Sequence, residues 1–412
     1  MTFLSDYTTL QQAADATKRD LVIDIDYYFS NNEIVDFNNK VVFVDCQYSF
    51  IGDGTLNFKN MGKGSVIYRP CMKSQTTPYV IYRYDSNGAW RASSDVLASV
   101  SQSREQGYQP TVNDRDIYSQ LPDYIKSQNV YSELLLSSNC SNVTIESPTG
   151  EFALIRSEMN NNVIVRNPDI LGGRGYTGTI VFVNLDDSSY GHGNKVIGGQ
   201  VRYGSFSGVT FIRQKGYDGG VKDFKAYRCG ESGVKTYQNE ISGRSARCYQ
   251  LTFDNITAEQ VYFDGLDANA DFGAVTNRID DYPVSQYPNR KLPTKHRVSN
   301  IHSIDVKGVG AWWDGQGVVA RNITVENSHG CGIWDVGTNN ILMNVETIGC
   351  NSDNGNYNHI TCEGSNQIIG ARVTIYGGIT GYAVYAPGSQ IGDVYTNKGT
   401  GSGVILVTQI NH

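Results

Sequence analysis

The sequence predicts an all-β chain wound as a right-handed single-stranded parallel β-helix, with an inserted side domain and a short N-terminal capping helix. Three observations lead there. Asn300-Ile301, Asn322-Ile323 and Asn344-Val345 recur every 22 residues, each opening a short apolar run. A fixed period of this size marks a solenoid, whose repeats bury their apolar faces only against neighbouring repeats. The runs at 301–306, 323–325 and 373–375 are β-branched and alternate with polar residues, with no helical spacing. The third observation is compositional: 44 Gly against 10 Pro suits many tight corners between short strands. Ile369-Gly370 and Ile391-Gly392 continue the same step slightly out of phase.

Taken in order, residues 5–16 read as a capped helix. A helix there covers the open end of a solenoid, whose first coil otherwise exposes unpaired strand edges. Strands are expected at 21–25, 41–44, 56–58 and 66–68, so that 1–69 forms the N-terminal cap and first coils. Between 70 and 128 the pattern breaks, with Thr76-Thr77-Pro78, a helical stretch over 94–106 and Gly107-Tyr108-Gln109-Pro110. This segment reads as an inserted side domain. Coils resume at Ser132, and 129–407 forms the main β-helix. A second excursion, about 268–297, carries Asp281-Tyr282-Pro283, Gln286-Tyr287-Pro288 and Leu292-Pro293. Proline is excluded from central strands, and irregular loops of this length are usually functional. About 12 turns at roughly 4.8 Å each predict a body of about 60 Å.

The composition narrows the function classes. A net charge of −7 without a basic stripe argues against nucleic acid, since nothing stands ready to neutralise phosphates. The 27 Tyr and 4 Trp supply aromatic surface for sugar rings, although Tyr also fills coil corners. The eight Cys show no C-x-x-C and no paired spacing, so they read as small buried hydrophobes. With six His and no His-x-x-x-His spacing, no metal site is expected, and no cofactor is called for. No run of 18 apolar residues and no signal-peptide pattern is present, giving the expectation of a soluble chain made in a reducing compartment, without membrane insertion. The sequons beginning at Asn142, Asn255 and Asn322 read as coil starts.

Three carboxylates stand out. Aligning coils on Phe224, Ile256 and Ile301 puts Glu231 seven positions after the first and Asp264 eight after the second. They then project from nearly the same edge of adjacent rungs. Asp267 follows in Phe263-Asp264-Gly265-Leu266-Asp267, where alternation alone sends 264 and 267 to opposite faces and Gly265 permits a bend. Converging carboxylates are the minimum equipment of glycoside hydrolysis. Asp-Gly and Glu-Ser-Gly are equally ordinary turn sequences, so spacing alone leaves both readings open. The Gly-His-Gly of Tyr190-Gly191-His192-Gly193-Asn194 resembles a polygalacturonase motif, but its order relative to Asp264-Gly265 is wrong for that family and it reads as a coil corner. A pectate-lyase-like eliminase needs a Ca²⁺ cage that the sequence does not offer.

The chain closely resembles the tailspike endorhamnosidases of short-tailed Salmonella phages. The likeness runs from about Leu4 to about Pro387 and rests on several motifs in order. These are Leu4-Ser5-Asp6-Tyr7, Phe50-Ile51-Gly52-Asp53-Gly54, Gly107-Tyr108-Gln109-Pro110-Thr111-Val112, Gly230-Glu231-Ser232-Gly233-Val234-Lys235-Thr236, Asp264-Gly265-x-Asp267 and Asp281-Tyr282-Pro283-x-x-Gln286-Tyr287-Pro288. The resemblance implies a homotrimer at the virion tail that binds and cuts O-antigen lipopolysaccharide with inversion. It implies a dorsal-fin insertion near 70–128, Glu231, Asp264 and Asp267 as catalytic carboxylates, and substrate contacts from Arg174, Tyr190, Lys235, Tyr237 and Phe263. A non-catalytic polysaccharide-binding adhesin on the same scaffold is the alternative.

Departures from that pattern lie in the binding groove. Tyr237 and Phe263 stand where the resembled enzyme has Trp, Gly172-Gly173-Arg174-Gly175-Tyr176 replaces a Gly-Gly-Lys-Asp-Gly stretch, and Val183 occupies a Glu position. Lost polar contacts to sugar hydroxyls are expected to reshape selectivity. The virion-attachment head and the C-terminal trimer-locking region of that family have no counterpart, which predicts a fragment or a variant whose other modules lie elsewhere.

Overall fold

The computed structural model describes the chain except residues 76–82, 85–89, 92–131, 173–177, 185, 187–188, 203, 205–206, 230–231, 238–239, 242–243, 246–247, 262–264, 269–293, 307, 314, 351–357, 377–380, 398–404 and 411–412. The described residues form two compact units. One comprises those up to Gln214 with Asp218–Gly220, the other Lys215–Tyr217 with those from Val221 onward.

The first unit opens with a single turn at Leu4–Asp6 and a helix at Leu10–Ala16. The helix starts later than the expected residue 5 because Thr9 is its cap, its Oγ1 accepting the Gln12 N–H at 3.2 Å. Ser5 instead donates its N–H to Asp24 Oδ1 at 2.9 Å. Leu10, Ala13 and Ala14 are fully buried, so one helical face closes over the coils beneath.

Three parallel rows then build the unit. Leu21, Val44, Ile67, Ile145, Val165 and Val196 stand in register along the first. Tyr27, Phe50, Met72, Gly150, Ile170 and Val201 form the second. The third runs Val35, Phe58, Leu136, Ser157, Phe182 and Phe211. Each apolar residue sits on one of its own kind a rung away. Phe182 and Phe211 stack with centroids 5.3 Å apart. Parallel strands demand crossovers, and here each crossover is itself a corner and the next strand. Within 70–128, Cys71–Lys73 still belong to the second row, and Arg83–Tyr84 pairs antiparallel with Trp90–Arg91; the helix expected over 94–106 lies outside the described residues.

The second unit repeats the plan with longer, bent strands. Thr252–Glu259, Arg297–Ile304, Val319–Glu326, Ile341–Ile348 and Gln367–Thr374 stack in parallel. Ile256, Ile301, Ile323 and Val345 lie in register, as the 22-residue repeat implies. The repeat asparagines supply the bend: Asn255, Asn300, Asn322 and Asn344 have φ of 52°, 55°, 54° and 52°. Asparagine tolerates this left-handed conformation better than other side-chain-bearing residues. Their amides also form a ladder, Asn344 Nδ2 donating to Asn322 Oδ1 and Asn322 Nδ2 to Asn300 Oδ1, both at 2.9 Å. Asn142, at the first sequon, has φ 59°. The late repeats slip: Ile391 pairs with Ile368, one position from the expected Ile369. All eight cysteines are free, and all but Cys71 are buried.

Candidate functional site

The site is built on a second stack of the same unit. Val234–Tyr237, Leu266–Ala268, Ala311–Trp313, Ile333–Asp335 and Ile360–Cys362 pair in parallel. Val234, Leu266, Ala311, Ile333 and Ile360 are fully buried and form the inward row. Because neighbouring strand residues alternate between faces, the next position on each rung belongs to the opposite row. That row reads Lys235, Asp267, Trp312, Trp334, Thr361 along the ladder.

Just before the first four of these strands stands a glycine, Gly233, Gly265, Gly310 and Gly332, whereas His359 precedes the fifth. Backbone bonds tie them across rungs, Val234 N–H donating to Gly265 O at 3.3 Å and Leu266 N–H to Gly310 O at 3.2 Å. Gly265 is needed for space. A Cβ there would lie 2.0 Å from Ser303 Oγ and 2.4 Å from the Gly310 carbonyl. The bend expected of Gly265 is therefore better described as a close approach of three chain segments. Asp264 immediately precedes this glycine and Glu231 precedes Gly233 by two positions.

Of the residues singled out by sequence, Lys235 is partly exposed, and Asp267 holds the register position between Lys235 and Trp312. Tyr237 closes the first strand. Glu231, Asp264, Phe263 and Arg174 lie outside the described residues. Tyr190 belongs to the first unit, where its ring carries the Arg213 guanidinium 4.9 Å from its centroid. Arg213 Nε also donates to Ser189 O at 2.7 Å, and this residue is only 6% exposed. Such a cation over an aromatic face holds the ring in place. His192 is exposed at a corner and Gly193 has φ 66°. Val183 is buried opposite Ile212, so this position of the first unit carries no polar group.

The sequence model of a family described as "Salmonella phage P22 tail-spike" matches residues 1–407. The chain belongs to the P22 tail-spike family. It is 44% identical to the tailspike receptor-binding domain of siphovirus 9NA, with a TM-score of 0.85, covering 100% of this chain and 76% of that one. It is 38% identical to the receptor-binding protein of bacteriophage Det7, described as a podoviral tailspike in a myovirus, with a TM-score of 0.84 and coverage of 100% and 75%. In this tail-spike chain the parallel β-helix is thus a family property, as the motif order implied.

What the motif order did not bring out is the aromatic end of the site row. Trp312 and Trp334 are themselves 22 residues apart, on the repeat that predicts the fold. Their rings stack at 4.8 Å with an interplanar angle of 19°. Trp334 Nε1 donates to Glu363 Oε1 at 2.9 Å. Burial pushes the Cys331 thiol up to about 12, and it drops His359 to about 4, so that both are neutral near pH 7. Among the described residues no cluster of three or more His, Cys, Asp or Glu is arranged to hold a metal ion.

Proposed function

We propose that this tail-spike chain binds the O-antigen polysaccharide of bacterial lipopolysaccharide and hydrolyses it as an endo-acting, endorhamnosidase-like glycosidase. The observation that carries the proposal is the register Lys235–Asp267–Trp312, a cation, a carboxylate and an aromatic ring on successive rungs of one row. A sugar polymer needs all three: charge or hydrogen bonding to its hydroxyls, acid–base chemistry at the linkage, and a flat apolar surface for ring C–H groups.

In the proposed mechanism Glu231, Asp264 and Asp267 act together with inversion. One carboxylic acid, kept protonated by its surroundings, donates its proton to the departing glycosidic oxygen. A second carboxylate takes a proton from water as that water attacks the anomeric carbon from the opposite face. Room for the water requires the two carboxyl groups to stand about 6.5–9.5 Å apart. Arg174, Tyr190, Lys235, Tyr237 and Phe263 are proposed to hold the polymer. Residues 70–128 are proposed as the side domain, the proline-bearing stretch near 268–297 as a loop serving the groove, and the working form as a homotrimer on the virion tail.

The family supports retained chemistry, while the buried Val183 and the Arg174 segment support an O-antigen preference altered from that of the resembled enzymes. Mass analysis of oligosaccharides released from a panel of purified O-polysaccharides tests both. Repeat-length fragments from at least one O-antigen are expected. Cleavage confined to the same repeat as the resembled enzymes would count against the altered preference. Binding without any new reducing ends would favour the adhesin.

A further inference from the structure

Arg228, Gln260, Asp305 and Asn327 each follow a long strand and open the connection to the next strand of the site stack. All four have a left-handed backbone, with φ of 53°, 54°, 53° and 54°. Each donates its N–H to the carbonyl that ends the long strand one rung on, those of Glu259, Ile304, Glu326 and Ile348, at 3.0, 2.8, 2.8 and 2.8 Å. From each corner the chain takes five steps to the glycine before a site strand, Gly233, Gly265, Gly310 or Gly332. In the first connection the third step is Glu231, and in the second the fourth step is Asp264. The same two steps are Gly308 and Val309 in the third connection, and Gly330 and Cys331 in the fourth. The acids thus fall on two consecutive connections of equal length.

Asparagine and glycine suit such a corner, as at Asn327 and, on the next rung, Gly349 with φ 59°. Arginine and glutamine suit it less, and a left-handed residue of that kind persists only where its surroundings hold it. Arg228 is moreover a cation only 8% exposed. What the two unusual corner residues do is bond each other: Arg228 Nε donates to Gln260 Oε1 at 2.7 Å. The guanidinium also lies 5.1 Å from the centroid of the Tyr227 ring. At their far ends the same two connections are joined again, Val234 N–H donating to Gly265 O at 3.3 Å. A Cβ on Gly233 would stand only 2.6 Å from that carbonyl, so the approach is close. Cys229, Ser232 and Val261, within the connections, are fully buried. Two short connections tied to each other at both ends have little freedom to separate.

We propose that Arg228 and Gln260 are positioning residues for the glycosidase reaction, their bond setting the distance between the segments that carry Glu231 and Asp264. This rests on the assignment of those two carboxylates to the chemistry. An inverting reaction depends on that distance because water must fit between acid and base, and a misplacement of about 1 Å costs up to about 10²-fold in rate.

The test follows reducing-end release from a susceptible O-polysaccharide across pH. Gln260→Leu keeps the bulk of the side chain and removes the acceptor. Its kcat is expected to fall about 10–100-fold while KM stays within about threefold. The two limbs of its kcat–pH profile are expected to move relative to each other, because neighbouring carboxylates perturb one another's titration according to their separation. Arg228→Lys keeps the charge and removes the Nε donor, and a similar fall is expected. The double variant should be within about threefold of the slower single variant, as for two ends of one bond. Gln260→Glu restores the acceptor and is expected to recover most of kcat. Lost packing alone would lower the melting temperature and the folded fraction without moving the pH limbs. Should Gln260→Leu fail to fold, Arg228→Lys and Gln260→Glu carry the comparison. Folded variants with wild-type kcat and pH limbs, or losses that multiply in the double variant, overturn the positioning role alone. Glu231→Gln or Asp264→Asn cleaving as fast as wild type overturns the carboxylate assignment and the positioning role together.

Discussion

Asn322 donates its side-chain N–H to Asn300 Oδ1 at 2.9 Å, and both residues hold a left-handed backbone, with φ of 54° and 55°. The residue type that makes the bend affordable is the same one that links the rungs. The bend and the link are thus two uses of one amide.

These two uses can be pulled apart by substitution. Asn322→Ala loses the ladder bonds to Asn300 and Asn344 and also places a Cβ-bearing, non-bonding residue in the left-handed region. A loss of about 2–3 kcal/mol is expected. Asn322→Gly loses the bonds but relaxes the backbone, so about 1 kcal/mol is expected. Urea-unfolding midpoints of the two variants measure the difference, and equal midpoints would show that backbone strain contributes nothing.

Gly265→Ala should be more damaging than its single added methyl suggests. Its Cβ meets both Ser303 Oγ at 2.0 Å and the Gly310 carbonyl at 2.4 Å. The hydroxyl can be removed, but the carbonyl belongs to the backbone of the next rung. Destabilisation of about 3 kcal/mol or more is expected, and Ser303→Gly in the same chain should recover only part of it. Thermal melting of the single and double variants reads this directly; full recovery would refute the backbone clash.

His359 gives the second unit an acid sensitivity with a definite sign. Its imidazole is fully buried and its pKa falls from 6.5 to about 4, caused by desolvation. The unfolded chain therefore binds a proton between pH 6.5 and 4 that the folded chain does not. Stability from this group is complete above pH 6.5 and is lost as pH falls toward 4, by roughly 3 kcal/mol in all. His359→Leu is expected to flatten the stability-against-pH curve across that window. An unchanged slope, measured by urea unfolding at successive pH values, would show that another group carries it.

Asp267→Asn keeps the shape of the side chain while removing its charge and its capacity for acid–base work. Reducing-end release from a susceptible O-polysaccharide is expected to fall by about 10²–10⁴-fold, with oligosaccharide affinity changed by less than about tenfold. Equal loss of binding would move Asp267 from the chemistry to the anchoring of the polymer.

The 22-residue recurrence of asparagine, with the β-branched runs that follow it, made the winding of the second unit legible, because a residue that bends the strand and bonds its successor must recur once per rung. The register of Ile256 with Ile301 followed from the same logic, despite the proline-bearing stretch between them. The site was legible only in part. Motif order pointed to Glu231, Asp264 and Asp267, yet Asp267 and Trp312 lie 45 residues apart, and that separation hides their adjacency in the linear chain. Gly265 read as a place for a bend because sequence shows a missing side chain but not what occupies its place.

Local chemistry, repeated, thus determined that the chain winds: left-handed asparagine corners and β-branched inward positions recur once per rung, so each finds its partner in the next repeat. Which side chains meet across rungs was decided by the tertiary structure alone. Stacking brings Lys235, Asp267 and Trp312 onto successive rungs, whatever length of chain intervenes, because parallel register is fixed by backbone hydrogen bonds between coils.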